Sequence, residues 1–356
     1  MKIGSILVSM LIVLSVGICS ATNQSEDKIL EEINDSNPVT KILAFASIVD
    51  MGDDGLDLMA QALKSDDQDF KISAFIWMDI IEMDNPKSVE PLIESLSSGD
   101  DNTRAIAALS LGWKRDPEAV DALIKSMEND NNNTIRLYSA LALGWIRDPS
   151  AVDPLINGLQ DGDDDVRSAC AIALGWIKDF RAVDPLIQEL TNESSPLCVA
   201  SVSLAFINDT RAIAPMIESL GNSSCDEQIA GALAFMGEPA LYPLIDILNN
   251  TDEYPEKRAA AASALGSLGD SRAIDVLVES LTDDDSDVRA KSAKALGDIG
   301  DSRANDAIIL ALSDEDEFVR FNAAVALGMI DNSDAVDPLI EVLEDDYVEY
   351  VRASSA

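Results

Sequence analysis

Residues 163–190, DDDVRSACAIALGWIKDFRAVDPLIQEL, hold one complete unit of the architecture. Val166, Ala169, Cys170, Ala173 and Ile177 recur at three- and four-residue steps, so they share one face of a helix. Asp163, Asp164 and Asp165 stand before its first turn, where carboxylates cap free N–H groups and favour the helix dipole. Gly175 falls near the helix end, where it is expected to relax packing. A second helix is expected from about Ala182, with Pro185 in its first turn, where proline's missing N–H is harmless. Val183, Leu186, Ile187 and Leu190 form its apolar face. Neither helix can bury its face alone, so stacked copies must supply the core.

The copies are present. Leu-Gly recurs at Leu111-Gly112, Leu143-Gly144, Leu174-Gly175, Leu265-Gly266, Leu296-Gly297 and Leu327-Gly328, and Leu204-Ala205 and Leu233-Ala234 fill the gap. Steps between the second residues of these pairs run 32, 31, 30, 29, 32, 31 and 31. Nine residues after most of these leucines comes a second phrase, Val120 to Ile124, Val152 to Ile156, Val183 to Ile187 and Val336 to Ile340. Looser copies begin at Val89, Ile213, Leu241, Ile274 and Asn305, with a first one near Leu56. That makes about ten two-helix repeats over residues 39–346. Thr191 to Lys257 departs from the pattern, with Ser195-Pro196-Leu197-Cys198 and Cys225-Asp226-Glu227-Gln228 in place of the acidic-Val-Arg opening.

The phrase D-x-D-V-R-x-x-A-x-x-A-L-G-x-I-x-D-x-R-A-V-x-P-L-I closely resembles the HEAT-like repeats named after the phycobilisome lyases. The resemblance implies an all-α, right-handed α-solenoid, with first helices on the convex side and second helices lining the concave side. It also implies enzymatic relatives, the bilin lyases and the deoxyhypusine hydroxylases. The hydroxylases use His-Glu metal ligands, which a chain with no His cannot supply.

Composition narrows the function further. The 356 residues carry 25 Lys+Arg against 65 Asp+Glu, a net charge of −40, which argues against a nucleic-acid partner. Without His there is no Ser-His-Asp triad and no imidazole zinc site. Hydrophobic residues at 47% are too many for a disordered acidic chain. Met1-Lys2, the apolar run Ile3–Ile18 and Cys19-Ser20-Ala21 have the three parts of a secretory signal over 1–21. The alternative is an uncleaved N-terminal membrane anchor. A polar linker over 22–38 and a partial repeat or C-terminal cap over 347–356 flank the solenoid. Seven Asn-x-Ser/Thr sequons, at Asn23, Asn34, Asn132, Asn192, Asn208, Asn222 and Asn249, fit a secreted, cell-surface location. No later segment is apolar enough to span a membrane, and the protein is expected to be a monomer.

Recurrent arginines (Arg104, Arg136, Arg167, Arg258, Arg289, Arg320, Arg352) are expected to pair with acidic loops of neighbouring repeats rather than to bind anions. Turn aspartates (Asp116, Asp148, Asp179, Asp209, Asp270, Asp301, Asp331) are expected to cap the second helices. The acidic runs Asp161–Asp165 and Asp283–Asp287 lack a calcium-loop ligand order, and no cofactor or metal is expected. Cys170 reads as core; Cys198 and Cys225 are candidates for pairing, although an odd count weakens a disulfide framework.

Two rows are candidates for partner binding. An aromatic stripe, Trp113, Trp145, Trp176, Phe206 and Phe235, follows the Leu-Gly or Leu-Ala pair in five consecutive repeats, about 90° from the core face. Ser267 and Asp298 hold the same position later, and packing on the helix flank is the alternative reading. A concave row, the residue after each Leu-Ile, runs Glu94, Lys125, Asn157, Gln188, Glu218, Asp246, Glu279, Leu310 and Glu341, and favours a cationic peptide or protein. The expected function is a non-enzymatic exported scaffold for proteins or peptides. The alternative is an enzyme of the lyase or hydroxylase kind.

Overall fold

The computed structural model describes Ala60 and residues 88–192, 198–221, 225–330, 333–346 and 348–355. The expected signal segment over 1–21, the expected linker over 22–38 and most of the first two expected repeats lie outside these residues, as do Asn222 and Asp331. Two compact units, Met1–Ala173 and Leu174–Ala356, divide the chain.

In the first unit, α1 (Val89–Ser95), α2 (Asp101–Lys114), α3 (Val120–Asn129), α4 (Asn133–Ile146) and α5 (Val152–Gly158) follow one another. Helix α6 (Asp164–Ile177) crosses the division. In the second unit come α7 (Val183–Leu190), α8 (Val199–Ile207), α9 (Ile213–Glu218), α10 (Asp226–Met236), α11 (Glu238–Asn249) and α12 (Pro255–Leu268). Helices α13 (Ile274–Glu279), α14 (Ser286–Ile299), α15 (Asn305–Ala311), α16 (Glu317–Ile330), α17 (Val336–Asp345) and α18 (Glu349–Ser354) complete it. Even-numbered helices are the first helices of the repeats and odd-numbered ones the second. No strand occurs among the described residues, and the architecture is an all-α solenoid of HEAT-like repeats.

The repeat consensus is a list of stacking solutions. The leucine of each Leu-Gly pair is fully buried, as at Leu111, Leu143, Leu174 and Leu265. The glycine has a different task from the one expected of Gly175. A Cβ at Gly112 would lie 2.6 Å from Ala142 Cα, and one at Gly297 would lie 2.7 Å from Ala326 Cα. Gly175 is likewise buried within α6, where a Cβ would lie 2.8 Å from Ser203 Cα. These glycines admit the next first helix at close range; they do not loosen a helix end.

Arg104, Arg136, Arg258, Arg289 and Arg320 form clamps to the following loop, as the repeat position implies, whereas Arg167 pairs with Asp164 of its own helix and Arg352 donates to Asp346 O. Arg104 Nε lies 2.8 Å from Asp130, Arg136 Nε 2.9 Å from Asp161, and Arg258 Nη2 2.7 Å from Asp283. Arg289 Nε lies 2.8 Å from Asp314 and Arg320 Nε 2.7 Å from Asp346. Each guanidinium also donates Nη1 to a carbonyl of the loop before its own helix, for example Ser98 O and Asp314 O. Each aspartate in turn accepts the backbone N–H two residues on, as Asp161 does from Asp163. One arginine thus ties two successive inter-repeat loops. Arg136 holds the Asp161 carboxyl below its ordinary range against the opposing pull of burial.

The irregular stretch is held differently. Cys198 and Cys225, which precede α8 and α10, form a disulfide with Cα atoms 5.0 Å apart. The odd count that weakened this pairing is accounted for by Cys170, which is fully buried beside Met127 and Gly158, its thiol pushed up to about 12 by burial. A covalent clamp spanning 27 residues thus joins two first helices that lack the Val-Arg opening.

Candidate partner-binding site

The turn aspartates organise the end of each repeat where the aromatic stripe lies. Asp116 accepts from Glu118 N, Asp148 from Ser150 N, and Asp209 from Arg211 N, each at 2.8–3.0 Å. They cap a short 3-10 turn that feeds the second helix, one step earlier than the cap expected from sequence. From Asp179 onward most of these turns also carry an arginine two residues later that folds back on the same carboxylate. Arg272, for instance, pairs with Asp270 at 2.6 Å and holds it down to about 2. Arg211 and Arg303 also reach the carbonyls of Phe180 and Ser271 in the preceding turns.

The stripe residues occupy the flank of the first helices. Trp113 is 62% exposed and Phe235 is 64% exposed, while Trp145, Trp176 and Phe206 are half-buried. Trp113 and Trp145 meet edge to face, with centroids 6.4 Å apart at 90°. Phe206 and Phe235 do the same at 5.6 Å and 89°. Trp145 also leans over the backbone opening at Gly112, where a Cβ would lie 2.8 Å from its ring. The stripe therefore combines inter-repeat packing with an uncovered aromatic edge, and Ser267 and Asp298 at the same register are exposed.

The second-helix row is also where its spacing places it. Glu94, Lys125, Asn157, Gln188, Glu218, Asp246, Glu279, Leu310 and Glu341 are all exposed. Glu218 is already engaged: Lys257 Nζ lies 3.3 Å from it and 3.5 Å from Glu253. Lys257 takes the place of the core valine in the repeat and is only 4% exposed.

A set of residues missed in the sequence lies two positions beyond the tryptophans. Arg115, Arg147 and Lys178 end α2, α4 and α6 with φ of 56°, 63° and 62°, in the left-handed region. Asn208 does the same after α8, whereas Gly269 and Gly300 hold this position after α12 and α14. Those glycines were the available signal, because a helix-terminating glycine announces a left-handed cap.

The model of HEAT repeats matches residues 56–138, 122–205, 213–293 and 280–356. No curated protein matches the chain. Among solved structures, yeast importin-β (Kap95p) is 14% identical, with a TM-score of 0.62 over 98% of this chain and 56% of its own. The CpcE–CpcF complex of phycocyanin lyase from Nostoc is 24% identical over 75% of this chain and 94% of its own, with a TM-score of 0.36. Human deoxyhypusine hydroxylase is 19% identical over 83% and 99%, with a TM-score of 0.34. Identities this low speak to the fold alone. With matches running over most of its length and the Leu-Gly stacking contacts in place, the chain belongs to the HEAT-repeat family.

Proposed function

We propose that this chain is a non-enzymatic, exported scaffold that binds a protein or peptide along its second helices. The observation that carries the reading is the row from Glu94 to Glu341, exposed in every described repeat and mostly acidic. A solenoid does not need those exposed positions for its core, although Glu218 is paired with Lys257. Acidic residues repeated at one register steer a cationic segment to the row. Yeast importin-β, whose fold is shared, is itself seen in complex with Nup1. Export rests on the apolar leader and the sequons, and no described helix is long and apolar enough to cross a membrane. The protein acts as a monomer in this reading, its net charge opposing self-association.

The test is titration of the protein into a labelled Lys-rich peptide, read by anisotropy. Binding that falls with salt and is lost when Asp246, Glu279 and Glu341 become Lys supports the reading. Equal binding by that variant overturns it. N-terminal sequencing of the native protein, with a start near Thr22 outside the cytoplasm, checks the export half.

A further inference from the structure

From the geometry at the ends of α2 and α4 we infer a second docking surface, on the edge formed by Trp113, Trp145, Arg115 and Arg147, for an acidic peptide segment. It is separate from the acidic row and does not depend on it.

Three observations converge here. First, the cations are unengaged. In a chain of 25 Lys+Arg against 65 Asp+Glu, arginines at the repeat positions are clamped and those in the turns fold onto their own aspartates. The exposed side chains of Arg115 and Arg147 make no hydrogen bond or ion pair with any described residue. Asp116 and Asp148 stand next to them in sequence but are turned inward to cap Glu118 N and Ser150 N.

Second, both arginines sit where the chain itself uses glycine elsewhere. Left-handed φ at a side-chain-bearing residue is disfavoured, and Gly269 and Gly300 avoid that cost at the same register. A cation kept three times in that conformation, at Arg115, Arg147 and Lys178, meets a demand other than stacking.

Third, the aromatic pair beside them is shaped as a notch. Trp113 and Trp145 stand at 90°, with Trp145 held against the Gly112 opening and Trp113 projecting into solvent. A notch between perpendicular rings takes one apolar side chain better than the flat ring of a sugar, which needs a platform. Packed helices are about 8–10 Å apart, which places Arg115 and Arg147 at that order of spacing. Three residues of extended chain cover about 10 Å. The segment that fits is therefore extended, with carboxylates three residues apart for the two guanidinium forks and an apolar residue between them for the notch.

The experiment uses the full chain and a fluorescein-labelled peptide containing Asp-Leu-Ser-Asp, read by anisotropy at physiological ionic strength. The informative variant is Arg115→Gly with Arg147→Gly, because glycine suits the left-handed caps and leaves the fold at least as stable. The expected result is saturable binding that weakens roughly tenfold for each arginine removed, while the melting temperature holds or rises. Trp113→Ala should weaken binding as well. Lys291→Glu, at an exposed position of α14 outside both rows, lowers the net charge by two as the paired glycine variant does, and should leave binding nearly unchanged. The inference is overturned if the peptide fails to bind at millimolar concentration or if the glycine variant binds as well as the natural protein. It is equally overturned if a peptide with Asn for both Asp binds as tightly, or if polygalacturonate binds more tightly than the peptide. None of these outcomes touches the acidic-row reading, which a Lys-rich peptide tests separately.

Discussion

Helices α4 and α14 perform the same task in two parts of the chain and end differently. Each has 14 residues, a buried Leu-Gly pair and an Arg–Asp clamp to the following loop. Helix α4 then finishes with half-buried Trp145 and left-handed Arg147, whereas α14 finishes with exposed Asp298 and left-handed Gly300. The shared features are those that stacking requires. Of the features that differ, Trp145 also packs against the preceding repeat, whereas a left-handed Arg147 is costly where glycine would serve, and it is this residue that marks a surface with a second use. The disulfide stretch is a third variation, in which the clamp itself has been replaced while the leucines persist.

The core should be indifferent to this contrast. Leu143→Ala and Leu296→Ala remove equivalent buried side chains and should each cost about 2–5 kcal/mol in denaturant unfolding. A cost confined to one of them would break the equivalence of the two helices. The clamps come next. Replacing Cys198 and Cys225 with Ser opens a loop of 27 residues and should cost about 3–4 kcal/mol. Arg289→Gln should cost about 2–3 kcal/mol, because it leaves a largely buried carboxylate without its charged donor. Burial pushes Asp314 upward, but Arg289 and the Asp316 N–H outweigh it and hold the carboxyl below its ordinary value. A depressed folded value means the contribution is complete above about pH 4 and disappears as pH falls through the folded value. The difference between natural and Arg289→Gln protein should therefore shrink in acid, while the difference made by the Cys variant should not. Equal acid sensitivity of the two differences would show that the disulfide does not stand in for an ionic clamp.

The fold was legible because a solenoid repeats its solution. Leu-Gly, Val-Arg and the turn Asp recur at fixed spacing, and each recurs for a local physical reason. The purpose of Gly175 was not legible, because close approach to Ser203 depends on which helix stacks against it. The Cys198–Cys225 bond was only half legible, since counting cysteines ignores that Cys170 is sealed in the core. At the candidate site the row of tryptophans was visible and the arginines beside them were not. Their importance lies in the sign of φ and in the absence of an ion pair with any described residue, neither of which a spacing reveals.

Glycines within the first helices sharpen the comparison at smaller scale. At Gly297 a Cβ would meet Ala326 Cα at 2.7 Å, whereas at Gly328 nothing lies within 4 Å. Gly297→Ala should therefore cost about 1–3 kcal/mol through overpacking. Gly328→Ala should be neutral or stabilise by up to about 1 kcal/mol, as alanine is the better helix former. Thermal melts of the two variants that moved together would mean the glycines serve helix termination rather than close stacking.

The smallest effect bears most directly on the contrast between α4 and α14. Arg147 holds φ of 63° and Gly300 holds 73°, so the two caps are the same backbone shape built from different residues. An L side chain in that shape costs roughly 1–2 kcal/mol, and glycine escapes the cost but gives the unfolded chain more freedom. The balance favours Arg147→Gly by about 1 kcal/mol, and Gly300→Arg should lose a similar amount. Denaturant melts of the pair should thus be mirror images, and the natural protein should be the less stable partner at position 147. If Arg147→Gly is instead destabilising, the arginine contributes to folding through its aliphatic stem against the neighbouring tryptophan. Its place in α4 would then be a packing solution, and the difference from α14 would no longer point to a partner.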